Sequence, residues 1–110
     1  MIQAQNFYRI VKTDPPTAED FTSDAARRKP FAHPDPSRHR LWDGLSFYAT
    51  EVQARRNARR YRTHGRFIAA VRVEEGGPIR AERTLGPGHY TLCGEPTAFL
   101  ARVVSVTMAR

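Results

Sequence analysis

Several short segments of the chain are rich in apolar residues, especially aromatic and β-branched side chains. This pattern, broken by turns of glycine and proline, is typical of short β-strands. The predicted strands are residues 7–12, 44–49, 67–73, 79–84, 89–93 and 99–106. In the last of them, Ala101, Val103 and Ser105 would share one face of a sheet.

Two segments begin instead with signals of a helix amino terminus. Thr17 with Asp20 approximates a capping box and predicts a short helix over residues 18–28. Thr50 and Gln53 make a better capping pair, ahead of a helix that ends near residue 61.

In the second helix the spacing of Ala54, Ala58 and Tyr61 predicts a buried stripe. Arginines crowd its other faces, and such a run is either a solvated surface or a binding stripe. His64-Gly65 closes the helix, since glycine suits a helix carboxyl terminus. Residues 29–40, with three prolines, read as a surface loop, and Trp42 is expected to fill the core beneath it.

Strands that gather late in the chain, after the helices, predict a particular fold class. We expect one α+β domain over residues 1–110, a mostly antiparallel sheet with two helices packed on it. A length of 110 residues also suits one domain and no more.

The chain carries a formal net charge of +7, almost entirely from arginine, since Lys12 and Lys29 are its only lysines. Guanidinium groups bind phosphates bidentately, so a nucleic acid, a phosphorylated cofactor or an acidic protein are the partners expected. Biased codon usage is an equally good cause of the arginine content. Charge alone does not separate these interpretations.

The location predicted from the sequence is the cytoplasm of a bacterial cell, without membrane attachment. No apolar run approaches the length of a bilayer span, and the first residues do not resemble a signal peptide. Cys93 is the single cysteine, which excludes an internal disulfide and a thiolate zinc cluster within one chain.

Common catalytic and binding motifs are absent from the sequence. It contains no glycine-rich phosphate loop, no dinucleotide fingerprint, no His-Glu-x-x-His helix and no nucleophile elbow. His33 and His39 lie six residues apart, without a carboxylate at ligand spacing, so no metal cofactor is predicted.

Two segments together resemble the ADP-ribosyltransferase fold. One is the strand of residues 7–11 (FYRIV), which carries a central arginine. The other is the strand of residues 44–50 (GLSFYAT), which runs into an alanine-containing helix that ends in tyrosine. Residues 88–92 (GHYTL) and 98–106 also look like the late pair of strands of that family.

This resemblance implies an NAD-binding protein, a bacterial toxin or effector that transfers ADP-ribose or consumes NAD. It implies that Arg9 binds the phosphate or ribose of NAD and that Ser46 supports the pocket. Tyr48 would stack on the nicotinamide, and Tyr90 is a further cofactor-binding candidate. Cleavage of the glycosidic bond builds positive charge, which a carboxylate stabilises.

The sequence departs from the family at the late strand that should begin with the catalytic glutamate. His89-Tyr90-Thr91 stands there, and Glu95 is the nearest carboxylate, while Glu82 lies on the preceding strand. We therefore take His89 and Glu95 as the catalytic candidates. His89 follows a Gly-Pro-Gly turn, a position that exposes an imidazole for acid–base chemistry.

Two other functions remain open. The first is a basic ribonuclease toxin that resembles the RelE-type mRNA interferases, in which His89, Tyr90 and helix arginines would share a groove with RNA. The second is a non-enzymatic protein-binding module on a transferase-like scaffold, with an antitoxin-like protein or other macromolecule as its partner.

Overall fold

A computed structural model describes residues 3–23, 25–28, 30, 44–84 and 86–110. The described residues form an α+β domain, as predicted. Its strands are β1 (Ala4–Val11), β2 (Leu45–Tyr48), β3 (Phe67–Glu74), β4 (Arg80–Arg83), β5 (His89–Cys93) and β6 (Val103–Met108). Its helices are α1 (Glu51–Arg60) and α2 (Pro96–Leu100), with 3₁₀ helices at Ala18–Phe21 and Arg62–His64.

The six strands form one antiparallel sheet in the order β4-β5-β2-β1-β3-β6. The pairing of β1 with β3 is long and regular and runs from Ala4 opposite Glu74 to Val11 opposite Phe67. The pairing of β1 with β2 is limited to Tyr8 opposite Tyr48. Backbone pairing is therefore extensive between β1 and β3 but minimal between β1 and β2.

The larger core lies on the sheet face that carries Phe7, Val11 and Phe47. Phe21 of the first 3₁₀ helix and Phe99 of α2 pack there with their ring centroids 5.4 Å apart. Phe47 stacks on Phe99 at 5.5 Å, so three aromatic rings join both short helices to the sheet. Large buried rings of this kind contribute about 3 to 5 kcal/mol each to folding.

Helix α1 covers the opposite face of the sheet through small side chains. Ala54 and Ala58 are fully buried against Ile10 and Ile68, so the helix approaches the strands closely. Thr50 caps the helix as predicted, because its hydroxyl accepts a hydrogen bond from the Gln53 amide at 3.2 Å. Tyr61 is 42% exposed, so its predicted place in the buried stripe is wrong.

The predicted strand over residues 99–106 begins too early. Pro96 starts α2, where proline is favoured at the first helical position, and Phe99 is buried from the helix rather than from a strand. Strand β6 begins only at Val103.

The predicted helix over residues 18–28 is a 3₁₀ helix of four residues followed by a turn. Side chains compete with the helix here, since the Thr22 hydroxyl donates to the Ala18 carbonyl and the Ala26 amide donates to the Ser23 hydroxyl. Most of the predicted loop 29–40, with His33 and His39, and Trp42 lie outside the described residues.

Gly65 lies two residues before β3 and has a φ of +153°. A β-carbon at this position would collide with the carbonyl oxygen of Val11. We expect Gly65→Ala to lower the free energy of unfolding by roughly 3 kcal/mol, from backbone strain of about 1–2 kcal/mol and overpacking of about 1–3 kcal/mol. Gly76→Ala is the control, because Gly76 has a φ of +79° with no atom within 4 Å of its β-carbon position. Equal losses in urea unfolding would contradict this role of Gly65.

Candidate functional site

Arg9 lies where the pairing of β1 and β2 stops. It follows Tyr8, the last residue of β1 that pairs with β2. Its Nε donates to the carbonyl of Asp20 at 2.7 Å, and its Nη1 donates to the carbonyl of Ser46 at 2.9 Å. The guanidinium carbon lies 5.8 Å from the centre of the Phe47 ring. Arg9 thus links β1 to β2 and to the first 3₁₀ helix through its side chain.

The carboxylate of Asp20 fixes the first 3₁₀ helix beside the end of β1. It accepts hydrogen bonds from the amides of Lys12 and Thr17, both at 2.9 Å. With its carbonyl on Arg9, Asp20 connects the strand, the 3₁₀ helix and the guanidinium. The predicted pairing of Thr17 with Asp20 is present, although the helix it opens is short.

A polar pocket of about 180 Å³ opens beside Arg9. Its lining residues are Arg9, Thr22, Ser23, Arg27, Gly44, Leu45 and Ser46. Arg27 donates to the carbonyl of Glu19 and forms an ion pair with the Glu19 carboxylate at 3.1 Å. Two guanidinium groups and the hydroxyl-bearing residues around them make this a pocket for an anionic or polyhydroxylated group.

The sequence predicted two residues of this pocket, Arg9 and Ser46, and missed Arg27 and Ser23. Both missed residues lie in the segment that was predicted as helix. The run Thr22-Ser23-Asp24 was the available signal, because side chains of these types favour turns over helix interiors.

The predicted site residues divide between the two faces of the sheet. Arg9 and Tyr90 lie on the face of the larger core, where Tyr90 contacts Phe7 edge-on at 4.9 Å. Ser46, Tyr48 and His89 belong to the opposite face, by the alternation of β2 and β5 and the pairing of Tyr48 with His89. Arg9 and Ser46 meet only because the guanidinium reaches the Ser46 backbone.

Tyr48 and His89 form a pair on the face covered by α1. Their rings meet edge-on with centroids 5.5 Å apart. His89 Nδ1 lies 3.1 Å from the Thr84 carbonyl and 3.2 Å from the Thr84 hydroxyl. Because a carbonyl only accepts, this contact favours the proton on Nδ1 and leaves Nε2 as the basic nitrogen.

Burial shifts the pKa values of both rings in the direction that favours their neutral forms. Burial lowers the pKa of His89, and its hydrogen bond to the Thr84 carbonyl partly offsets this. Burial raises the pKa of the Tyr48 phenol, while the Arg9 charge acts in the opposite direction. The neutral form of the His89 imidazole is therefore favoured over the charged form.

Glu95 belongs to a different part of the fold, at the start of α2. It is exposed and occupies the residue before α2, where Pro96 begins the helix. Glu82 stands opposite Thr91, and Thr91 stands opposite Ser46, so these three residues form one row across β4, β5 and β2. Glu82 is thus the carboxylate that the strand register places in line with Ser46.

A larger pocket of about 690 Å³ lies where the turn after β3 leads to β4. Phe7, Val73 and Ile79 contribute apolar surface to it, and Glu74 and Glu75 line it as well. Its two carboxylates outnumber the single guanidinium of Arg80, so the smaller pocket beside Arg9 is the better candidate for an anionic ligand.

Within the described parts of the chain, no group of three or more histidine, cysteine or acidic side chains is arranged to hold a metal ion. In the same residues, no helix combines the length and the hydropathy that a bilayer-spanning segment needs.

No protein-family model, no curated protein and no solved structure shows significant similarity to this chain. Its function must be argued from the pocket itself and from the resemblance of its short motifs.

The lowered pKa of His89 predicts a loss of stability in mild acid. As the pH falls through about 6.5, the unfolded chain takes up the proton before the folded chain does, so the free energy of unfolding decreases. Urea unfolding at about pH 7.5 and about pH 5.5 should show a larger loss for the native chain than for His89→Gln. The other histidines are present in both chains and cancel. Equal losses would contradict the burial of a neutral His89.

Proposed function

We propose that this protein binds NAD in the pocket beside Arg9 and acts as an ADP-ribosyltransferase-like protein, of the kind found in bacterial toxins and effectors. The observation that carries the proposal is the meeting of Arg9 and Ser46 in one polar pocket. They are two of the four residues that the motif resemblance assigns to the cofactor, and they meet through the Arg9 guanidinium and the backbone carbonyl of Ser46. The sequence separates them by 37 positions, so their meeting is a property of the fold.

The charge of the pocket suits the diphosphate of NAD. Arg9 and Arg27 come from different elements and line the same small volume. Charge-assisted hydrogen bonds from guanidinium to phosphate are stronger than neutral ones and shorter in length. Arg9 is already oriented by the carbonyls of Asp20 and Ser46, so little side-chain freedom is lost when a phosphate binds.

The size of the pocket limits what it can enclose. About 180 Å³ is below the roughly 300–1,000 Å³ of pockets that enclose drug-sized ligands. It suits a phosphate or a ribose, so most of the dinucleotide would lie outside it.

Chemistry at the glycosidic bond needs a group that stabilises positive charge on the ribose. His89 and Glu95 are the candidates from the sequence, but the side chain of His89 lies on the sheet face opposite to Arg9, and Glu95 stands before α2. Binding of NAD without turnover is the outcome expected if none of these groups reaches the bond. The chain would then be a binding module with the same pocket.

The ribonuclease alternative receives less support from the fold. It requires His89 and Tyr90 to act in one groove, but the two residues are adjacent on β5 and face opposite sides of the sheet. Tyr90 is engaged with Phe7 on the larger core.

Calorimetric titration with NAD tests the proposal. Arg9→Lys keeps the charge but loses the planar fork, and Arg27→Gln removes a charge, so each should weaken NAD binding about tenfold or more. Arg83→Gln, on the exposed edge strand β4, removes the same charge away from the pocket and should leave the affinity within about twofold. Thermal unfolding without NAD checks that each variant is folded.

The absence of NAD binding at millimolar concentration would contradict the proposal. Equal weakening by Arg83→Gln and Arg27→Gln would also contradict it, since net charge and not the pocket would then determine binding. If NAD binds as expected, release of nicotinamide distinguishes a transferase or NAD-consuming enzyme from a binding module.

A further inference from the structure

The positive charge of this protein is concentrated in α1 and the residues that follow it. Residues 51–66 contain six arginines and one acidic residue, so this segment carries a net charge of +5 out of +7. Five of the arginines are exposed and define a surface that we call the basic face: Arg56, Arg59, Arg60, Arg62 and Arg66.

The basic face is not needed to hold the fold together. Arg55 ties α1 to β6 by a hydrogen bond to the Met108 carbonyl at 2.6 Å, and it also bonds to Glu51 within the helix at 3.2 Å. Arg56 and Arg59, in contrast, form no hydrogen bond or ion pair with any other described residue. Charges that are left without acidic neighbours are available to an external anion.

A groove runs along this exposed side of α1. Its volume is about 590 Å³, and its lining residues are Val52, Arg55, Arg56, Arg59 and Arg60. Val52 is 65% exposed and supplies an apolar strip between the guanidinium groups. The groove therefore combines several phosphate-binding groups with a surface on which an apolar group can rest.

Planar side chains continue the groove at the carboxyl end of α1. The guanidinium of Arg60 lies 5.3 Å from the centre of the Tyr61 ring. The rings of Tyr61 and His64 are stacked with centroids 5.2 Å apart and an interplanar angle of 17°. All three side chains are exposed, and such stacks are the surfaces on which unpaired bases pack.

We propose that the basic face binds single-stranded nucleic acid. The arginines along α1 contact successive phosphates, and the stack of Arg60, Tyr61 and His64 receives a base. Charge alone would also attract an acidic protein, but an acidic protein has no need of exposed planar rings beside the arginines. This surface is separate from the pocket beside Arg9, and the proposal does not depend on NAD binding.

Fluorescence anisotropy with a labelled oligouridine of about 12 nucleotides tests this proposal. The double variant Arg56→Gln/Arg59→Gln should weaken binding about tenfold or more. It should also reduce the slope of log K against log salt by about 1.4, because two phosphate contacts are lost from a single strand. The double variant Arg80→Gln/Arg83→Gln on β4 removes the same charge from another exposed site and should leave the slope unchanged.

Tyr61→Ala separates stacking from charge. It should weaken binding about fivefold to a hundredfold without a change in the salt slope, because a stacked base and no phosphate contact is lost. Circular dichroism confirms that the variants retain the fold.

Two outcomes would overturn the proposal. The first is equal loss of affinity in both double variants, which would make the binding a consequence of net charge. The second is that polyglutamate competes as well as oligouridine while Tyr61→Ala binds normally, which would identify an acidic protein as the partner.

Discussion

The hydrogen bonds of Arg9 are the constraint on which the rest of this structure depends. Strands β1 and β2 pair at a single position, and beyond it their carbonyl groups need other donors. Arg9 of β1 donates to the carbonyl of Ser46 in β2, and it also donates to the carbonyl of Asp20 in the first 3₁₀ helix. The pocket opens beside this side chain, which is one of the residues that line it.

The two faces of the sheet are covered by different kinds of side chains. One face is filled by stacked phenylalanines that hold the first 3₁₀ helix and α2 in place, and these in turn hold the residues around the pocket. The other face is covered by two buried alanines of α1, which leave the outer side of that helix free to carry arginine. The pocket beside Arg9 and the basic face are thus built by separate elements, and each can be altered without the other.

Local sequence patterns predicted much of the fold because they reflect local physics. The strands β1, β2, β3 and β5 follow from their aromatic and β-branched residues, and α1 follows from the Thr50 cap and from Ala54 and Ala58. The predictions failed where tertiary packing or side-chain hydrogen bonds, and not local pattern, determine the secondary structure. Phe99 is buried from a short helix, although residues 99–106 look like a strand, and the hydroxyls of Thr22 and Ser23 end the first helix early.

The candidate site was predictable only in part, for a similar reason. The motifs singled out Arg9 and Ser46, and the alternation of β5 could have placed His89 and Tyr90 on opposite faces. The polar run before Arg27 could have predicted a turn, but not that the turn after the first 3₁₀ helix brings Arg27 to the pocket. Such a contribution depends on how a loop folds back on the sheet, which short sequence patterns do not contain.

A nuclear magnetic resonance titration of the ¹⁵N-labelled protein with NAD tests the central claim most directly. The account predicts saturable shifts of the amide signals of Arg9, Thr22, Ser23, Arg27 and Ser46, with smaller changes elsewhere. Saturable shifts confined to the arginines of α1, with the signals around Arg9 unchanged, would show that NAD is bound only as a polyanion. That result would contradict the assignment of the pocket to NAD.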